Sequence, residues 1–206
     1  GGEQGAQHSQ ALHAWFAHVP GLRVVMPSTV ADARDLLIAS VLCNDPVMFI
    51  DDRWLYDQED DLPPIVEIDL ATQRPIVSLR GSDITIVASG HSSLLAREAA
   101  QLLKSKGISV EVVDIRVLNP FHTEIIIESV KKTKNLLVVD SGWTSAGFSA
   151  EIIAKVVEQL PVDCLNNPPV RIALPDTPAP SSRVLEKAYY TSTDDLVEAI
   201  KKILKK

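Results

Sequence analysis

ITIVASGHSSLLAREAAQLLKSKGISVEVV, residues 84–113, reads as strand, helix, strand, and that order decides the fold. Residues 84–88 are an apolar, β-branched run. Residues 94–105 carry a helical pattern, and Gly107 stands just beyond its end, where the chain can turn left-handed at little cost. Residues 110–113 return as a second apolar strand. Two strands joined by a helix pair in parallel, with the helix crossing one face of the sheet.

The alternation continues toward the C-terminus. Asn119-Pro120 turns the chain, and Thr123 caps a helix bearing Ile126, Ile127 and Val130. Residues 136–139 form an apolar strand that ends at Asp140, and Gly147 opens a helix with Ile152, Ile153, Val156 and Val157 along one side. Residues 170–173 make a last short strand. The final helix is capped near Ser192 or Thr193; Asp194 and Asp195 in its first turn and Lys201, Lys202, Lys205 and Lys206 at its end match the helix dipole.

Toward the N-terminus, residues 65–79 predict a short strand pair or an extended crossing segment. YDQEDDLPP, residues 56–64, is acidic and proline-bearing and reads as a linker that few core contacts cross. Before it, Ser9 is expected to cap a short helix with Leu12, Trp15 and Phe16 on one side, stopped by Pro20-Gly21. Residues 22–26 predict a strand covered on both faces, Thr29 caps a helix with Ala33, Leu36, Leu37, Ser40 and Val41 along one face, and residues 47–50 predict a buried strand leading to Asp51-Asp52-Arg53. The fold class is therefore α/β with a mainly parallel sheet, divided into 1–57, a linker at 58–76, and 77–206.

With 46% hydrophobic and 23% charged residues the chain can bury a substantial core. Its net charge of −7 argues against a nucleic-acid partner, which usually meets a basic face. No apolar run approaches the roughly 20 residues that cross a bilayer, and no basic-then-apolar leader is present, so a cytoplasmic protein is expected. Cys43 and Cys164 lack CxxC spacing and read as two buried thiols. The chain starts Gly1-Gly2 without methionine, and an incomplete sequence is expected.

Ligands in such sheets gather at the carboxyl ends of strands. The residues there are Ser89-Gly90-His91, Asp114 with Arg116, Asp140-Ser141-Gly142-Trp143, Ser28, and Asp51-Asp52-Arg53. Ser89 to Ser92 could turn helix amides toward an anion, yet lacks the glycines of GxGxxG and the GK[ST] of a P-loop. His91 and Asp140 with a serine suggest acyl transfer, but there is no GxSxG elbow. His8, His13 and His18 recur every five residues, which turns them apart around a helix, unlike the stacked pair of HExxH. His8, among Gln7, Ser9 and Gln10, has polar neighbours that could fix its tautomer for proton exchange near neutral pH; a capping or merely exposed histidine is the alternative.

AQHSQALHAWFAHVPGLRVVMPST followed by ADARDLL and DPVMFID, with RWLY, closely resembles the beta subunit of the thiamine-diphosphate-dependent 2-oxo acid dehydrogenases of the pyruvate and branched-chain type. GISVEVVDIRVLNPF, NLLVVDSGW, GFSAEI and LPDTPAPSSRVLEKAY resemble the C-terminal domain of the same subunit, shared with transketolase. The resemblance implies an incomplete pyrimidine-type thiamine-diphosphate-binding domain followed by a transketolase C-terminal-like domain. It implies oxidative decarboxylation of a 2-oxo acid with acyl transfer to lipoyl, in an α2β2 assembly with an alpha subunit that holds the diphosphate and magnesium. His8 aligns with the family's cleft histidine, a proton-handling and orienting residue.

The same resemblance suggests a potassium loop of backbone carbonyls at Ser40, Val41, Cys43 and Asp45, with a plain structural turn as the alternative. The family glutamate that bonds the aminopyrimidine has no counterpart here, so the isolated chain is expected to be inactive. Asp51-Asp52-Arg53-Trp54 departs from the glutamate-rich strand exit common in pyruvate enzymes and leaves the 2-oxo acid open. The lysine-rich C-terminus departs from tails that contact the lipoyl-bearing acyltransferase core. Residence in the cytoplasm, or in an organelle matrix, fits the family. Two other readings stand beside this one: a non-catalytic assembly module, and a transketolase or deoxyxylulose-phosphate-synthase relative, to which the HSQ-to-VVMPS block is less suited. Val24, Val25, Val47 and Phe49 are expected on an unfinished, exposed sheet edge that drives self-association.

Overall fold

The structure is a computed structural model that describes residues 1–205. Two short helices, α1 (Gly5–His8) and α2 (His13–Ala17), precede strand β1 (Arg23–Val25), helix α3 (Val30–Leu42) and strand β2 (Val47–Phe49). After a long irregular stretch come β3 (Ile76–Leu79), β4 (Ile84–Ala88), α4 (Gly90–Lys104), β5 (Val110–Asp114) and β6 (Val117–Asn119). Then follow α5 (Glu124–Thr133), β7 (Leu136–Trp143), α6 (Phe148–Val157), β8 (Val170–Leu174), α7 (Arg183–Tyr189) and α8 (Thr193–Leu204).

The larger sheet has the order β3-β5-β4-β7-β8, parallel except where β3 runs against β5. Its central strands β5, β4 and β7 are buried along nearly their whole lengths because helices cover both faces, while the edge strands β3 and β8 are partly exposed. On one face Ala96, Ala99 and Leu103 of α4 and Leu196 and Ile200 of α8 pack on Ile84, Ile86, Val110 and Val112. On the other, Ile126 and Val130 of α5 and Ile152 and Val156 of α6 pack on Val87, Val113 and Val138. The α8 N-terminus is a capping box, in which Ser192 and Asp195 each bond the other's backbone amide.

The smaller sheet, β2-β1-β6, joins the two portions. β1 pairs in parallel with β2 and antiparallel with β6, a strand of the C-terminal portion. The chain reaches β6 through Arg116, a non-glycine residue at φ +60° whose guanidinium is held by the Asp32 carboxylate at 2.9 Å and the Arg74 carbonyl at 2.7 Å. Val24 and Met26 then enter the core of the larger sheet. The Asn119–Pro120 peptide is cis.

Several expectations are corrected. Val24 and Val25 are completely buried, because β6 completes the sheet beside β1; the open edge falls on β2, whose residues are half-buried. Ser9 follows α1 and caps no helix, while α2 begins at His13 after Leu12. Thr29 does cap α3 through its side chain, but the buried face of that helix is Leu36 and Ala39, and Leu37 and Val41 point outward. Residues 65–79 supply one strand, β3, rather than a pair. Leu70, inside the expected linker, is 2% exposed and packs with Val25, Leu36 and Val117. Cys43 and Cys164 are half-buried free thiols.

Candidate functional site

The carboxyl ends of strands from both sheets open into one cleft of about 260 Å³. The end of β1 contributes Met26, the exit of β2 contributes residues 51–54, and the start of α4 contributes His91 and Ser92. β7 adds Asp140 and Ser141, and the chain after α7 adds Tyr190. His8, the last residue of α1, is exposed on the rim. No hydrogen bond to its ring is found among the described residues.

Part of the lining is aromatic. The Trp54 ring stacks on His91 with centroids 5.5 Å apart and planes at 23°, and Tyr190 meets Trp54 edge-on at 6.0 Å. Asp52 closes the first turn of α4: its Oδ2 accepts from the His91 amide at 3.4 Å while Oδ1 accepts from the Trp54 amide at 3.1 Å. The anion at this helix start is therefore the protein's own carboxylate. Burial pulls the His91 imidazole below its ordinary acidity range, opposed by the negative charges of Asp52 and Glu98, so a neutral ring is favoured. Gly90 is at φ +53°, a left-handed conformation that favours glycine, and a β-carbon there would also have to push aside the flexible end of Met26, 2.7 Å away.

Beneath the cleft lies a pair that the sequence did not reveal. His13 is 1% exposed and its Nε2 lies 2.8 Å from Asp140 Oδ1. The same oxygen accepts from the Gly142 amide and Oδ2 from the Ser149 amide, each at 2.8 Å. Burial pushes the Asp140 carboxyl up, but the His13 bond and charge and the two amides outweigh it and hold the group below the usual carboxylate range. The five-residue spacing predicts three histidines turned apart around one helix; instead His8 ends α1 and His13 begins α2. His13 shares the inward face of α2 with Phe16 and Ala17, which pack in the core. His18 instead borders a second cavity of about 610 Å³ beside Trp15 and Phe121.

The other expected residues fall elsewhere. Asp114 is 0% exposed under the junction of the two portions, bonded by the Ser28 hydroxyl and 3.9 Å from Arg97. Trp143 turns away from the cleft, its indole donating to the Thr177 carbonyl and the Tyr189 hydroxyl at 3.0 Å each. Ser40, Val41, Cys43 and Asp45 lie at the far end of α3; the Ser40 hydroxyl bonds the Leu36 carbonyl, Cys43 Sγ accepts from the Asp45 amide, and the Asp45 carboxylate pairs with Arg23 at 2.7 Å. No group of three or more His, Cys, Asp or Glu able to hold a metal is found among the described residues. No helix of the described residues is long and apolar enough to cross a membrane.

Two family models match the chain: the transketolase pyrimidine-binding domain over residues 1–58 and the transketolase C-terminal domain over residues 75–196. Among curated proteins it is 37% identical over 198 residues to a pyruvate dehydrogenase E1 component subunit beta of Rhizobium meliloti, covering 96% of this chain and 43% of that protein. It is 38% identical over 206 residues to the mitochondrial subunit beta of Dictyostelium discoideum, covering 97% and 56%. For Rickettsia felis the figures are 38% over 198 residues, covering 96% and 60%. The chain thus spans about half the length of these relatives. A solved split-gene transketolase, described as an inactive beta4 tetramer, superposes with a TM-score of 0.73 at 23% identity, covering 97% of this chain and 63% of that one.

Proposed function

Because the chain belongs to the transketolase family through both domains and is a relative of pyruvate dehydrogenase beta subunits, we propose that it works as part of such a subunit, in oxidative decarboxylation of a 2-oxo acid. The observation that carries the proposal is the cleft itself. A rim histidine and the strand ends of both domains meet there, as expected of a site shared with a cofactor.

The family is thiamine-diphosphate-dependent, and the cleft lining fits the ring end of that cofactor: Met26, Ile50 and the Trp54 face offer apolar surface to a flat heterocycle, and His8 and Asp51 offer polar atoms beside it. When bound, thiamine diphosphate supplies the nucleophilic carbon and the electron sink for loss of carbon dioxide. His8, exposed at the rim, handles the proton and orients the substrate carboxylate or the acyl acceptor. Trp54 and Tyr190 give the cleft an aromatic side, and the neutral His91 adds no competing positive charge.

The diphosphate and magnesium end is assigned to an alpha-type partner in an α2β2 assembly, with the acyl group leaving on the lipoyl arm of an acyltransferase. The outward Leu37, Val41 and Leu42 of α3 and the open edge of β2 support association with further subunits. A potassium ion on the carbonyls near Ser40, Val41, Cys43 and Asp45 is supported by the last carbonyls of α3, which have no intrahelical donor. The compartment follows the relatives: cytoplasm in a bacterium, the matrix in a mitochondrion.

Carbon dioxide release from pyruvate and from branched-chain 2-oxo acids tests the reading. The 206-residue chain with thiamine diphosphate and magnesium alone is expected to be inactive. A subunit carrying these residues, assembled with an alpha-type partner, is expected to turn over. Turnover by the 206 residues alone, or assembly without turnover on either substrate, would overturn the proposal; the latter would favour a non-catalytic assembly module.

A further inference from the structure

We propose that His13 is a positioning residue whose bond to Asp140 fixes the segment that carries His8 over the cleft. The inference rests on the proposed role of His8 and reaches past it to what holds that ring in place.

His8 is exposed, and no hydrogen bond to its side chain is found among the described residues, so its position is set by the backbone around it. That backbone cannot hold itself. α1 has four residues and α2 five, and isolated helices of one turn are unstable in water. Three other side-chain contacts on the segment are part-buried or exposed: the Tyr190 hydroxyl donates to the Ser9 carbonyl at 3.3 Å, the Ser9 hydroxyl to the Gly1 carbonyl at 3.2 Å, and the Gln10 amide to the Ala6 carbonyl. The His13–Asp140 bond is the buried one.

The Asp140 end of that bond is rigid. Its two oxygens also take the Gly142 and Ser149 amides, the second at the start of α6, so the carboxylate cannot swing without stripping a helix terminus. Because Asp140 is held ionised, it acts only as an acceptor, and the shared hydrogen sits on His13 Nε2. Phe148 meets the imidazole edge-on at 6.4 Å, and a β-carbon on Gly142 would come within 3.2 Å of the ring. The ring is therefore clamped in orientation as well as position. Asp140 itself lines the cleft, so one carboxylate couples the floor of the site to the segment bearing its rim histidine.

The test replaces His13 by Gln, Asn and Ala in the 206-residue chain and reads it by NMR. Glutamine sets an amide nitrogen where Nε2 stands and can donate to Asp140, whereas asparagine stops short. The His8 Cε1–H resonance and the exchange protection of amides 5–17 are expected to stay within about threefold of the parent in H13Q. In H13N and H13A the resonance should move or broaden and the protection fall at least tenfold, with β4, β5 and β7 amides retaining theirs. An unchanged His8 resonance and unchanged protection in H13N and H13A would overturn the proposal. So would equal damage in H13Q and H13N, or loss of protection throughout the large sheet in all three, since each marks a packing role alone. None of these readouts involves catalysis, so the clamp can fail while the role of His8 survives, and the reverse.

Discussion

Asp114 and Asp140 occupy matching stations and have opposite chemistry. Each lies in the carboxyl-terminal half of a strand beside β4, each is buried, and each receives a side chain from the N-terminal portion, Ser28 for one and His13 for the other. Yet burial and the nearby Asp32 charge push the Asp114 carboxyl up to about 6, against the Ser28 bond and the Arg97 guanidinium at 3.9 Å, while Asp140 is held below the ordinary range. Depth does not separate them. The donors do: Asp140 receives a ring nitrogen and two backbone amides, whereas Asp114 Oδ1 accepts no bond among the described residues and the Ser93 hydroxyl faces it outside bonding geometry.

The largest expected effect comes from removing the better-served carboxylate. Asp140→Ala strands a buried imidazole and two amides, and a loss of about 3–5 kcal/mol is expected from the shift in urea midpoint. Asp114→Ala should cost clearly less at pH 7, because it also removes a poorly compensated buried charge. Equal losses would break the comparison.

The second prediction concerns pH. With a folded pKa near 6 against roughly 3.9 unfolded, Asp114 binds its proton more tightly in the native state, so its contribution to stability falls as pH rises between about 4 and 6. Above that window the full penalty applies, about 3 kcal/mol for a shift of roughly two pKa units. Asp114→Asn should flatten that part of the stability profile, measured by denaturation at pH 4 to 8. Asp140 works with the opposite sign: its stabilisation is present above the usual carboxylate range and is lost as pH falls through its lowered value. A smaller effect, about 1 kcal/mol, is expected from Ser28→Ala, which removes a donor to Asp114 and should move its carboxyl titration further up, as read by carbon NMR.

The contrast also marks what the sequence could reveal. Periodicity located the helices and strands of the larger sheet because each helix buries one clear face, as Leu196 and Ile200 of α8 do. The first portion was harder. The burial of Val24 and Val25 depends on β6, nearly a hundred residues later, and no local pattern announces a strand that leaves one sheet for another. Arg116, whose left-handed turn makes that departure, carries no glycine signal. At the site, strand-end positions pointed to His91, Asp140 and residues 51–53, which line the cleft with His8, while Asp114, Ser28 and Trp143 from the same set do not. His13 was missed because spacing was counted among the histidines rather than against Phe16 and Ala17, which share its face. Its partner lies 127 residues away, and only folding brings the two together.

The central claim is that the cleft rimmed by His8 carries the chemistry, and one substitution addresses it directly. In the subunit bearing these residues, assembled with an alpha-type partner, thiamine diphosphate and magnesium, kcat is compared for the parent and His8→Ala at matched assembly. The account predicts a fall of roughly 10²–10⁴, the usual worth of a positioned proton-handling group. A kcat within twofold of the parent would contradict it.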